Sequence, residues 1–85
     1  MDPMSYAEEI RTIVCEALAI PPERLTDSTP FDEIGMTSRQ RIQLLARVEM
    51  HFDVSVDLDE LDRLVDVDGV AEVIAEAVAA RHPTG

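Results

Sequence analysis

A chain of 85 residues carrying a net charge of −11 offers one small core and little bulk from which to build a substrate pocket. Its acidic balance argues against nucleic acid as a partner, because phosphate recognition needs a basic surface. Apolar residues make up 46% but aromatics only 4%, with no Trp, so the interior is expected to be aliphatic.

The chain reads as helices joined by loops. Ser5 followed by Glu8 predicts a capping box, and Ile10, Ile13, Val14, Ala17 and Leu18 form a helical stripe. Pro21-Pro22 ends that helix near Ala19, giving a first helix over 5–19. Cys15 lies near the edge of the stripe with no cationic neighbour in sequence, which predicts a packed thiol and no reactive one. It is the single cysteine, so no internal disulfide forms and nothing points to an oxidising compartment. Glu23 to Pro30 reads as a long polar loop with one helical turn at Pro22–Leu25, tied down by Leu25, Phe31 and Ile34.

Gly35 is a natural place for the chain to turn into the next helix. Thr37 followed by Gln40 forms a second capping box, which makes Thr37 the N-cap and Ser38 the first helical residue. The Ser38 hydroxyl is then not needed for capping, and it sits where N–H groups and the helix dipole favour a phosphate. This second helix, 38–51, is expected to turn Ile42, Leu45, Val48 (with Ala46) and Phe52 inward, with Phe52 as its anchor. Val54, Val56 and Leu58 then alternate with polar residues, but no second strand exists to pair with them. An extended connection with its valines plugging the core is the better expectation. A short helix over 58–64 follows, with Leu61, Leu64 and Val65 inward. Asp66 or Asp68 caps a last helix over 67–81, whose stripe is Val70, Val73, Ile74, Ala77 and Val78.

Charge is unevenly spread. Residues 1–34 hold eight acids and two arginines, and 52–68 hold seven acids and one arginine, while 38–51 holds three arginines and one acid. One positive helix in an acidic chain is the main electrostatic feature. The acid run from Asp57 to Asp68, followed by Gly69, fails as an EF-hand, because Leu64 and Ala75 would fall on the first and last ligand positions. His51 and His82 have no partner at metal-ligand spacing. No catalytic constellation, signal peptide or membrane-length apolar run is legible, so the expectation is a cytoplasmic, non-enzymatic monomer without metal.

The Ile34-Gly35-x-x-Ser38 turn, the helix running from it through Leu44 and Glu49 to Phe52, and Val54-x-Val56 resemble the acyl carrier protein family, which includes peptidyl carrier proteins. The resemblance extends from about Phe31 to Ile74. It implies an all-α, four-helix acyl-carrier-like bundle with a long loop between the first and second helices, forming one carrier domain over 1–85. It also implies a 4'-phosphopantetheine arm derived from coenzyme A on Ser38, holding an acyl or aminoacyl cargo as a thioester. Implied partners are a phosphopantetheinyl transferase, a loading ligase or acyltransferase, and a downstream synthase or condensing enzyme. Docking would fall on Thr37, Arg39, Arg41, Ile42 and Arg47. Two features depart from the family: Thr37-Ser38-Arg39 replaces the usual Asp-Ser-Leu, and the usually acidic second helix carries Arg39, Arg41 and Arg47. The shortness of the chain favours a stand-alone carrier, and the unusual second helix a dedicated polyketide or nonribosomal peptide pathway, with a cargo-free interaction module of the same fold as the alternative.

Overall fold

The structure is a computed structural model that describes residues 3–81, with side chains described over 6–80. His82 therefore lies outside the described residues. Among the described residues three α-helices carry the fold: α1 (Pro3–Leu18), α2 (Ser38–Phe52) and α3 (Val67–Arg81). Three short 3₁₀ helices, Pro22–Arg24, Phe31–Ile34 and Leu58–Arg63, punctuate the connections. α1 packs against both α2 and α3, and Leu58–Arg63 packs against α3. The result is the expected all-helical bundle with a long connection between its first two long helices.

α1 begins at Pro3, so Ser5 lies inside its first turn and is not its N-cap. Proline suits a first turn, because its missing N–H has no intrahelical acceptor there and its φ is already helical. At the other end Ala19 takes a left-handed φ of 55°, and the Ile20 N–H donates to the Cys15 carbonyl at 3.1 Å. That bond closes the helix at Leu18 by a Schellman turn before the prolines are reached. Cys15 is buried, and burial pushes its thiol pKa up, so it packs as a small apolar group.

The interior is largely aliphatic, with Ile10, Val14, Val48, Leu64, Val67, Val70 and Ile74 almost fully buried, but an aromatic ring lies among them. That ring is Phe31, at 0% exposure, and not Phe52. Phe52 is half-buried and stands edge-on to Tyr6 and His51, with ring centroids 5.4 and 4.8 Å away. The inward face of α2 also differs from expectation. Leu44, Leu45 and Val48 are buried, whereas Ile42 is 49% exposed and Ala46 faces solvent. α2 leans on α1 along one flank, which turns the buried arc toward Leu44 and leaves Ile42 outside it.

The connection after α2 contains no strand. Val54 and Val56 pack half-buried against the core, and the Val56 N–H donates to Glu49 Oε2 at 2.6 Å, which satisfies a backbone group that has no partner strand. Leu58, which continues the alternation of those valines, is 67% exposed. In the following 3₁₀ helix the repeat of three residues brings Leu61 and Leu64 inward and leaves Val65 off that face, 46% exposed. Arg63 ties this helix to α3, giving hydrogen bonds of 2.8 and 2.7 Å to the two Glu76 carboxylate oxygens and 2.9 Å to Glu60. These bonds hold the Glu76 carboxyl below the usual glutamate range. The stability they add is present at neutral pH and is lost as pH falls through that lowered pKa.

Asp66, and not Asp68, caps α3: its Oδ1 accepts the Gly69 N–H at 2.7 Å. Gly69 also has a packing role that the sequence does not disclose. A Cβ there would run into the backbone carbonyl of Arg63 and lie 3.2 Å from Asp66 Oδ1. Replacing a helical glycine with alanine ordinarily stabilises by about 1 kcal/mol. Gly69→Ala is expected to do the reverse and cost about 1–3 kcal/mol, since the backbone carbonyl has nowhere to go. Chemical denaturation of the pair measures this, and a gain in stability would mean the two segments separate freely.

Candidate functional site at the start of the second helix

The loop before α2 is held at both edges. The Phe31 N–H donates to the Val65 carbonyl at 2.8 Å and the Asp68 N–H to the Asp27 carbonyl at 2.9 Å, which tie it to the start of α3. Arg11 reaches Asp27 at 3.0 Å from α1. The Phe31–Ile34 helix then ends at Gly35, whose φ of 78° is the left-handed conformation that glycine adopts without penalty. The Met36 N–H closes the turn on the Phe31 carbonyl at 3.1 Å. Phe31 and Met36 are both buried, so the segment that delivers α2 is pinned on each side of Gly35.

Thr37 forms the full capping box expected of it. The Gln40 N–H donates to Thr37 Oγ1 at 3.1 Å, and the Thr37 N–H donates to Gln40 Oε1 at 2.9 Å. Ser38 is the first residue of α2, exposed, and its hydroxyl has no hydrogen-bond partner among the described residues. A nucleophilic oxygen therefore stands free at a rigid, capped helix start.

The residues predicted to dock partners are not equivalent. Thr37 is exposed, but its side chain is committed to the cap. Arg39 is exposed and makes no ion pair among the described residues. Arg41 is folded back against the loop, with Nη2 3.4 Å from Asp32 Oδ1. Arg47 sits half a helical turn round from Ser38 and approaches Glu16 of α1 at 4.0 Å. Ile42, expected both inward and at a docking surface, stands outward beside Ser38. Met50 is 83% exposed on the outer side of α2, which the sequence does not disclose, because a lone Met at helical spacing looks like core.

His51 of α2 lies 3.5 Å from Glu9 of α1, a surface contact. Among the described residues no group of three or more His, Cys, Asp or Glu is placed to hold a metal ion, and no helix is long and apolar enough to cross a membrane.

Comparison with known proteins bears on this arrangement. A family model described as "Phosphopantetheine attachment site" matches residues 8–74, which include the loop, the cap and Ser38. The chain is 37% identical over 71 residues to polyketide-8 synthase acyl carrier protein 1 of Streptomyces avermitilis, covering 82% of this chain and 84% of that protein. It is 30% identical over 73 residues to an acyl carrier protein of Caulobacter vibrioides, covering 85% of this chain and 94% of that one. A non-reducing polyketide synthase of Penicillium rubens matches at 28% identity over 69 residues, which is 81% of this chain but 3% of the synthase. The fold, the matched span and these relatives together show that the chain belongs to the acyl carrier protein family, whose members carry covalently attached 4'-phosphopantetheine.

Proposed function

We propose that Ser38 is the attachment residue and that this carrier holds an acyl group as a thioester in a polyketide-type pathway. The observation that carries this reading is the free Ser38 hydroxyl at the capped start of α2. The 4'-phosphopantetheine supplies, when bound, a terminal thiol on a long flexible arm. The chain's own residues do the rest. The Thr37 box fixes the helix start, Phe31 and Met36 fix the loop, and exposure leaves the hydroxyl open to a transferase. Relatives named as a polyketide synthase acyl carrier protein and as a polyketide synthase favour polyketide assembly over nonribosomal peptide assembly. The chain forms one carrier domain working in the cytoplasm, catalyses no reaction itself, and depends on a transferase, a loading enzyme and a downstream synthase.

The exposed side of α2 suits a partner that is acidic or apolar near the serine. Among the described residues Arg39 stands there without an ion pair, and Ile42 and Met50 are large exposed apolar residues. Like charges across an interface repel and discriminate against the wrong partner. Arg39→Glu should slow loading by the cognate enzyme and speed loading by an enzyme adapted to acidic carriers. Both effects should shrink with salt, since exposed charges are screened over about 10 Å at 0.1 M. Loading rates of both proteins with both enzymes, at low and high salt, are the measurement; rates that do not move would make Arg39 a solvated charge.

The reading itself is tested by intact-protein mass spectrometry and peptide mapping after incubation with coenzyme A and a promiscuous transferase. One added arm on the peptide containing Ser38 is expected. Resistance to every transferase tried would leave a carrier fold used only as an interaction module.

A further inference from the structure

Arg41 carries an unmet hydrogen-bond donor beside the attachment residue. Its Nε is buried and has no partner among the described residues. A charged group with an orphaned buried N–H is costly, and supplying that N–H with an acceptor would relieve the cost. The rest of the guanidinium is weakly held. Nη2 reaches Asp32 Oδ1 only at 3.4 Å, and the Asp32 side chain is 87% exposed.

Position brings this group to Ser38. Residues three apart on a helix are neighbours, and side chains lean toward the helix N-terminus. Arg41 therefore rises beside Ser38 toward the loop that precedes it, as its contact with Asp32 records. Arg39 and Arg47 do not share this placement: Arg39 is exposed and makes no ion pair or hydrogen bond among the described residues, and Arg47 turns to Glu16 on α1. The amides of Gln40 and Arg41 are already taken by Thr37 Oγ1 and the Thr37 carbonyl. The N–H groups of Ser38 and Arg39, ahead of any intrahelical acceptor, remain available to an anion.

We infer that the Arg41 side chain swings away from Asp32, uncovering Nε, to receive the phosphate that joins the prosthetic arm to Ser38 on phosphate oxygens along the edge formed by Nε and Nη2. The inference rests on the reading of Ser38 as the attachment residue. A phosphodiester presents two free oxygens and one negative charge, which match a guanidinium edge in geometry and sign. Asp32 offers the same edge one oxygen at long range and leaves Nε unsatisfied. The exchange binds the root of the arm to α2 and releases the Asp32 carboxylate to solvent. An ammonium would supply charge without the paired donors, so lysine should not substitute.

The experiment follows the Arg41 Nε–Hε signal by nitrogen–proton NMR as the apo protein is converted to the holo form, with conversion checked by intact mass. The Arg41 signal is expected to move downfield and its exchange with water to slow severalfold, while the Arg39 and Arg47 signals stay in place. The phosphorus resonance of the arm should shift in the Arg41→Gln and Arg41→Lys holo proteins and not in Arg39→Gln. A confirmed holo protein whose Arg41 signal does not move overturns the inference and leaves the carrier reading intact. If no arm attaches, or it attaches elsewhere, the reading of Ser38 falls and this inference with it. Should Arg41→Gln fail to fold, the comparison of wild-type apo and holo protein decides alone.

Discussion

Ser38→Ala is expected to fold as the wild type does and to take up no phosphopantetheine. The hydroxyl removed is exposed and has no partner among the described residues, so no native bond is lost. The cap is made by Thr37 and Gln40, which the substitution does not touch. Alanine is also the better helix former, by a few tenths of a kcal/mol, so denaturation midpoints should agree within about 0.5 kcal/mol or favour the variant slightly. Intact mass after transferase treatment should then separate the two proteins completely. Modification of the variant would place the arm on another residue. A variant that failed to fold would show that Ser38 has a structural role that the free hydroxyl does not suggest.

Phe31→Ala is expected to cause the largest loss of stability. The ring is 0% exposed at the centre of the bundle, and its deletion removes apolar burial and leaves a cavity. Substitutions of this kind cost about 3–5 kcal/mol, against a total of about 5–15 kcal/mol for a domain. The effect should reach function as well, because Phe31 heads the short helix whose carbonyl closes the turn at Met36, directly before Thr37 and Ser38. Transferase modification should therefore slow at temperatures where the variant is still largely folded. Phe52→Ala, at a half-buried ring stacked edge-on against Tyr6 and His51, should cost less. Urea denaturation of the three proteins checks the order. A Phe31→Ala loss below about 1 kcal/mol would mean that the loop is held by its backbone bonds and not by the ring.

Several features of this protein were legible in its sequence because they are local. The Thr37–Gln40 box, Ser38 as the first residue of α2, and the cap of α3 by one of two nearby aspartates each depend on residues a few positions apart. Such interactions form whatever the helices later pack against. The family was legible for the same reason, through one turn and one helix. The start of α1 was misplaced only by preferring the Ser5 box to the proline two residues earlier.

What required the tertiary structure was the choice among residues that look alike in sequence. Ile42 and Leu44, Phe31 and Phe52, or Leu64 and Val65 are equally apolar, and only the packing of α2 on α1 and of the Leu58–Arg63 helix on α3 decides which is buried. Hydrophobic period shows that a helix has an inward face; neighbouring helices set how wide that face is and where it is centred. Gly69 reads as an ordinary helical glycine until the Arg63 carbonyl is found against it. The three arginines of α2 likewise look equivalent in sequence. Contacts from Asp32 and Glu16 on other segments separate the one engaged beside Ser38 from the one turned to α1, and leave Arg39 free to meet a partner.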